Sequence, residues 1–187
     1  MTGWIVVGAV VFLLVVFLGI VVGMYNGLVK GRNQTKNAWS QIDVQLKRRH
    51  DLVPNLVETV RGFATHERQT LENVIRARNQ AMGASNVGDR IKAETELGGA
   101  LSRLMVVCEQ YPDLKANQNF LSLQEELTST ENKIGFARQF YNDQVMQFNT
   151  RLESFPTNVI GGAFQFRPAE FFQVASEAER AAPHVKF

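Results

Sequence analysis

The chain has 187 residues, 45% hydrophobic and 20% charged, a length that suits one modest domain with an appendage. Twenty Lys and Arg against eighteen Asp and Glu give a net charge of +2, a balance that argues against a nucleic-acid-binding protein. One cysteine and three histidines exclude an intramolecular disulfide and a cysteine-rich zinc site, so we predict no metal and no cofactor.

The N-terminal stretch has the composition of a membrane span. No charged side chain precedes Lys30, and residues 4–25 are almost wholly apolar. At 1.5 Å per residue they reach about 30 Å as a helix, the thickness of the hydrocarbon core of a bilayer. We predict a transmembrane helix, with Trp4, Tyr25, Lys30 and Arg32 as its membrane-interface anchors. A cleaved signal peptide is the alternative, but the basic start, the short apolar run and the cleavage site that it needs are missing.

The charges flanking the span predict its orientation. Residues 1–3 carry only the terminal amine, whereas basic side chains follow the span. Cations beside a span stay in the cytoplasm, so the N-terminus is expected outside and the body of the protein inside. The predicted parts are an external N-terminus (1–3), the transmembrane helix (4–25), a cytoplasmic helical bundle (26–160) and a Phe-rich tail (161–187).

Small residues repeat along one face of the span. Glycines every four residues let two helix backbones approach closely in lipid, where hydrophobicity gives little drive to pair. This face is the predicted interface between spans of different copies, and its members are Gly19, Gly23, Gly27 and Gly31.

Beyond the span, helical periodicity dominates. Apolar residues recur every three or four positions from Trp39 to Met82, and residues 83–89 resemble a loop. We call such a row of apolar residues on one helix face a seam. Pro54 lies inside this seam and removes a hydrogen bond to the carbonyl of His50, so a kink or break is expected there.

Two further seams complete the pattern. The second is expected to end at Pro112, and the longest runs from Phe120 to Phe155, with Ser122 and Glu125 as a capping box near its start. No segment of useful length alternates with period two. The sequence therefore predicts an all-α fold, a transmembrane helix followed by an antiparallel bundle of long helices.

Polar residues interrupt the seams. Arg49 falls at a seam position, and a buried guanidinium needs a carboxylate or a route to solvent. We expect Glu131 or Asp51 to offset Arg49 or Arg138, with two asparagines bonded across helices. Such a layer either fixes the register of the bundle or forms a ligand or partner site. Its predicted members are Arg49, Glu131, Arg138, Asn142 and Asn149.

The tail is rich in phenylalanine. It either folds back over the bundle and closes the core or contacts the membrane or a partner. The residues of this tail patch are Phe164, Phe166, Phe171 and Phe172.

Catalytic motifs are not found. His50 and His66 lack metal-ligand spacing, and neither a nucleophile elbow nor a P-loop occurs. We predict that the protein is not an enzyme and has no catalytic, cofactor-binding or metal-binding residues.

Four segments, in this order, resemble the LemA family. They are DVQLKRRHDLVPNLVETVRGFA at 43–64, YPDLKA at 111–116, ENKIGFARQFYNDQVMQFN at 131–149 and FPTNVIGGAF at 155–164. The chain departs mildly at Phe148-Asn149, where the family often has Tyr-Asn. The resemblance implies a bacterial inner-membrane protein with a short external N-terminus and a helical cytoplasmic domain. It supplies no enzyme activity, and some relatives are associated with internal-membrane biogenesis.

Two functional hypotheses follow, with an enzyme as a distant third. The first is a scaffold that self-associates as a homo-oligomer and organises or shapes the membrane, with membrane lipid and further copies of itself as partners. The second is an adaptor or regulator that presents its bundle surface to another membrane protein, such as a protease or signalling complex. The number of copies in the assembly distinguishes the two.

Overall fold

The computed structural model describes residues 2–172, which form six helices and no strand. The predicted all-α fold is thereby confirmed. In chain order the helices are α1 (Thr2–Arg61), α2 (Arg68–Gly83), α3 (Val87–Cys108), α4 (Pro112–Lys115), α5 (Gln118–Glu153) and α6 (Thr157–Ala163).

Helix α1 is continuous over 60 residues and contains Pro54. The prediction of a break at Pro54 is wrong, since the helix continues to Arg61. The seam is interrupted later, by residues 62–67, which are not helical. A bend at Pro54 stays a prediction. The carbonyl of His50, which Pro54 deprives of its helical donor, accepts a hydrogen bond from Nε of Arg78 at 2.7 Å. A side chain thus replaces the missing helical bond.

The helix boundary near Pro112 also differs from the prediction. Helix α3 already ends at Cys108, and Pro112 begins the short helix α4 instead of ending α3. Proline suits this position because the first turn of a helix leaves its N–H groups without intrahelical partners.

Helix α5 starts with a cap that differs from the expected one. Oδ1 of Asn117 accepts a hydrogen bond from the N–H of Phe120 at 3.1 Å, and the helix begins at Gln118. The predicted capping box of Ser122 and Glu125 is therefore wrong, because both residues already lie inside the helix.

The described chain divides into two compact units. One contains residues 2–41 and 137–171, and the other contains residues 42–136 with Phe172. Residues 26–160, which were predicted to form one bundle, contribute to both units.

The unit formed mainly by residues 42–136 has a continuous apolar core. Leu, Val and Ala side chains of α1, α2 and α3 supply most of it, and Leu114 of α4 and Phe120 and Leu127 of α5 add to it. Apolar side chains three and four residues apart share one face of a helix, and that face packs inward here.

In the unit formed by residues 2–41 and 137–171, α1 and α5 run antiparallel. The rings of Trp39 and Tyr141 lie 5.2 Å apart, and a Cβ built on Gly31 would lie 3.1 Å from Cδ2 of Phe148. A small core continues the contact toward the span, with Leu28, Phe148 and Leu152 as its buried members.

Candidate functional site

The N-terminal part of α1 is long and apolar enough to cross a membrane, and no residue of its most apolar window is buried by the rest of the described chain. A Cβ built on Gly19, Gly23 or Gly27 would meet nothing within 4 Å outside the neighbouring helix backbone. Gly31 differs, because it is buried against Phe148 of the same chain. The open part of the predicted glycine face is therefore limited to three residues.

Aromatic rings gather where the apolar stretch of α1 ends. The ring of Tyr25 lies 4.9 Å from that of Phe164 and 5.8 Å from that of Phe166. The guanidinium of Arg32 lies 5.1 Å from the centre of the Phe166 ring, within the range of a cation–π interaction. We call Tyr25, Arg32, Phe164 and Phe166 the boundary cluster. The other two predicted anchors, Trp4 and Lys30, are exposed.

The tail after α6 runs back along the helices of the same unit. Asn149 binds the backbone of Ala169 twice, donating from Nδ2 to the carbonyl at 2.9 Å and accepting the N–H on Oδ1 at 2.8 Å. The hydroxyl of Tyr141 donates to the carbonyl of Glu170 at 2.8 Å. The expected bond of Asn149 across helices is therefore corrected to a bond that fixes the tail.

The sequence left two alternatives for the four tail phenylalanines, folding back over the bundle or contacting the membrane or a partner, and two residues are arranged as each requires. Phe172 is buried and Phe166 packs on the small core of Leu28 and its neighbours, as the fold-back alternative requires. Phe164 and Phe171 keep much of their surface exposed. Residues 173–187 of the predicted tail lie outside the described residues.

A buried polar cluster, consisting of Arg49, His50, Glu94 and Glu131, lies in the unit of residues 42–136. Arg49 is only 1% exposed and donates both to the carboxylate of Glu94 and, at 2.7 Å, to Oε1 of Glu131. Nε2 of His50 lies 2.8 Å from Oε1 of Glu94. Glu131 reaches solvent, with 44% of its side chain exposed.

The electrostatics of this cluster favour a charged Glu94. Burial alone raises the pKa of this carboxyl, but the hydrogen bond from His50 and the charge of Arg49 outweigh it, so the pKa lies below its usual value. At the edge of the cluster, burial raises the pKa of Asp43 although its carboxylate lies 3.1 Å from Arg90.

Glu94 and His50 are the members that sequence reasoning missed. A signal for Glu94 existed, because it lies between Ile91 and Leu97 at helical spacing, and all three are buried. An acidic residue at a seam position of α3 was the natural partner for an arginine at a seam position of α1. For His50 the signal was only its position next to Arg49.

The five residues of the predicted polar layer divide between the two units. Arg49 and Glu131 belong to one, while Arg138, Asn142 and Asn149 belong to the other. Arg138 and Asn142 are half-buried, and Asp51, the alternative partner for Arg49, is exposed.

Within residues 2–172 no group of three or more His, Cys, Asp or Glu side chains is placed to hold a metal ion. The buried cluster places the guanidinium of Arg49 against the carboxylates of Glu94 and Glu131. The thiol of Cys108 is buried, which raises its pKa to about 11 and keeps it unreactive.

Comparison with known proteins agrees with this architecture. The model of the LemA family matches residues 38–187. The chain belongs to the LemA family. The resemblance noted in the sequence is thereby confirmed, and the match includes Arg49, Glu94, Glu131 and the Phe-rich tail.

Several curated relatives of this LemA-family chain cover most of its length. Protein LemA of Metamycoplasma hominis is 28% identical over 169 residues, which are 88% of this chain and 75% of the relative. Magnetosome protein MamQ 2 of Paramagnetospirillum magneticum is 24% identical, and magnetosome protein MamQ of Magnetospirillum gryphiswaldense is 22% identical. Each of these two alignments covers 85% of this chain and 68% of the relative.

The family and the span together show a membrane-associated helical protein. Its two distinctive features are the span, with its open glycine face and boundary cluster, and the buried polar cluster of the other unit.

Proposed function

We propose that the protein is a non-enzymatic scaffold of the bacterial inner membrane, which associates with copies of itself through its span and thereby organises or shapes the bilayer. The N-terminus lies outside and the remaining helices lie in the cytoplasm. The orientation follows from the basic residues after the span, Lys30 and Arg32 among them.

The open glycine face carries this proposal. Gly19, Gly23 and Gly27 leave a groove along a helix that no other described part of the chain covers, and close backbone approach is what pairs helices in lipid. Gly31, packed on Phe148, fixes α1 against α5 next to this face. The pairing surface is thus held by a rigid helix pair.

The relatives support a role at a membrane. Two of those described above are named magnetosome proteins, and each alignment covers 85% of this chain, so a role in organising a membrane compartment suits this chain. Exposed apolar side chains on α5, such as Phe136 and Met146, offer further surface for assembly in the cytoplasm.

The test is the size of the assembly in lipid. Full-length protein with a fluorescent fusion, reconstituted in vesicles at low density, is counted by stepwise photobleaching. We expect several copies per assembly for the wild type and mostly single copies for the double variant Gly19→Leu/Gly23→Leu. The matched control, Phe17→Leu/Val21→Leu, changes residues on the opposite side of the helix and should assemble like the wild type.

The alternative function, an adaptor for another membrane protein, predicts a different count. One or two copies of the wild type, unaffected by the glycine substitutions, would favour it over the scaffold. Orientation is tested separately by protease treatment of intact spheroplasts, where cleavage of the residues after the span would contradict a cytoplasmic location.

A further inference from the structure

We infer that the turn between α5 and α6, together with α6, is a second membrane contact, which inserts its apolar side chains into the surface of the bilayer next to the span. This inference rests on the anchored arrangement of the proposed function. It assigns a lipid surface as the partner of residues 154–164, which we call the membrane-facing turn.

The composition of the membrane-facing turn is the first argument. The segment from Ser154 to Phe166 contains no charged residue, although Glu153 and Arg167 stand directly at its ends and a fifth of the chain is charged. An uncharged, apolar segment that folded into a core would need no further explanation. This one leaves two of its three phenylalanines, Phe155 and Phe164, exposed.

Exposure is the second argument. Phe155 is 82% exposed, Val159 is 60% exposed and Phe164 is 57% exposed. Gly161 of the same helix is buried against Leu152, and Ile160 packs on the small core of Leu28. Ile160 and Gly161 therefore face the protein, while Phe155, Val159 and Phe164 present apolar side chains outward from the membrane-facing turn, as in segments that lie in a membrane interface.

The level of the turn along α1 is the third argument. Leu28 and Leu152 pack in the same core, and Tyr25 precedes Leu28 by three residues just as Phe155 follows Leu152 by three. Because α1 and α5 run antiparallel in this unit, Phe155 lies at about the height of Tyr25. The ring contact of 4.9 Å between Tyr25 and Phe164 places the other end of the turn at the same height.

This height is the boundary of the bilayer. Tyr25 ends the apolar stretch of α1, and tyrosine prefers the level of the lipid headgroups. Lys30 and Arg32 are exposed about one to two helical turns further on, where cations meet phosphate groups. The exposed apolar surface of the turn is thus continuous with the surface of the span that lipid covers, which favours lipid over a second protein as its occupant.

The tail shows that, within residues 137–171, the turn is the part nearest to the span. After Phe164 the chain returns along α1 and α5, with Phe166 next to Arg32, Ala169 on Asn149 and Glu170 on Tyr141. Each of these contacts lies further from the span than Tyr25.

The experiment measures the depth of single nitroxide labels in the full-length protein. Cysteine is introduced at Phe155 or Val159, which are both exposed, so that neither change should disturb folding. Native Cys108 is buried and takes up little label, which the unsubstituted protein verifies. The protein is reconstituted in vesicles of phosphatidylethanolamine and phosphatidylglycerol, and collision with oxygen is compared with collision with a water-soluble nickel chelate.

Two further sites calibrate the measurement. Val16→Cys lies inside the span, and Phe140→Cys lies on α5 one residue before the partner of Trp39, about 21 Å along α1 from Tyr25. We expect the labels at Phe155 and Val159 to collide preferentially with oxygen, several-fold more than the label at Phe140, although less than the label at Val16.

Three outcomes would overturn the inference. If the labels at Phe155 and Val159 collide with the nickel chelate as freely as the label at Phe140, the turn lies in water. If they are shielded from both reagents, protein covers the turn. In either case an oxygen-accessible label at Val16 leaves the proposed scaffold intact, whereas a water-exposed label at Val16 overturns both proposals.

Discussion

Arg78 donates its Nε–H to the carbonyl of His50 at 2.7 Å, and this carbonyl is the one that Pro54 leaves without a helical donor. A guanidinium on α2 therefore completes the backbone hydrogen bonding of α1. Proline inside a helix usually breaks or kinks it, and a polar group from a neighbouring element is one way to satisfy the freed carbonyl.

The first prediction tests this replacement. Arg78→Ala should lower the free energy of unfolding by about 1–3 kcal/mol, because the carbonyl of His50 loses its donor in a partly buried position. In a Pro54→Ala background, residue 54 regains its N–H, and Arg78→Ala should cost clearly less. Urea unfolding of the full-length protein in mild detergent, followed by circular dichroism, measures the four free energies. Equal costs in both backgrounds would contradict a link between the two residues.

The second prediction concerns the buried polar cluster. Glu94→Ala leaves the guanidinium of Arg49 buried with only one carboxylate, and should cost about 3 kcal/mol or more in the same unfolding assay. Glu131→Ala should cost less, on the order of 1 kcal/mol, since its side chain is 44% exposed and water screens the pair. Glu96→Ala, which changes an exposed residue on the same helix, is the control. If it lowered the free energy of unfolding as much as Glu94→Ala does, the buried ion pair of Arg49 and Glu94 would be contradicted.

The third prediction concerns pH. The pKa of Glu94 is lowered in the folded protein, so its contribution to stability is complete above the unfolded value of about 4.3 and is lost as the pH falls through the folded value. The pKa of Asp43 is raised by burial, so its contribution has the opposite sign and is lost as the pH rises from about 3.9 through the folded value.

The contributions of Glu94 and Asp43 to stability change with pH in opposite directions. Free energies of unfolding measured between about pH 3 and pH 7 can therefore separate them. Glu94→Gln should flatten the acid-side decrease in stability, and Asp43→Asn should steepen it. If both substitutions changed the slope in the same direction, the opposite shifts of the two pKa values would be wrong.

The fourth prediction concerns α6. A Cβ on Gly161 would overlap the side chain of Leu152, so Gly161→Ala should destabilise the protein by about 1–3 kcal/mol. The adjacent Gly162 has open space around it, and Gly162→Ala should be neutral or stabilise by up to about 1 kcal/mol through helix propensity. Differential scanning fluorimetry compares the two variants directly, and equal melting temperatures would argue against close packing of α6 on α5.

The helices themselves were largely predictable. Hydrophobic periodicity gave the all-α class and the three seams, because burial of one helix face requires apolar residues every three or four positions. The errors fell at prolines and caps. At Pro54 the distant side chain of Arg78 provides the hydrogen bond that the helix backbone lacks. At Pro112 the proline occupies the first turn of a new helix. The local sequence does not distinguish either case from the end of a helix.

The polar cluster was predictable only in part. The position of Arg49 within an apolar seam implied burial and hence a carboxylate, and Glu131 was among the candidates. The identity of Glu94 as the buried partner depends on how α3 is placed against α1, which no spacing within either helix determines.

The sequence by itself determined the span, the helical class and the family, because each depends on local composition, on periodicity or on the order of motifs along the chain. Only the tertiary structure decided that Glu94 pairs with Arg49, that Gly31 packs on Phe148, and that the tail returns to Asn149. These contacts join residues 20 or more positions apart, and folding selects them through the combined packing of all the helices.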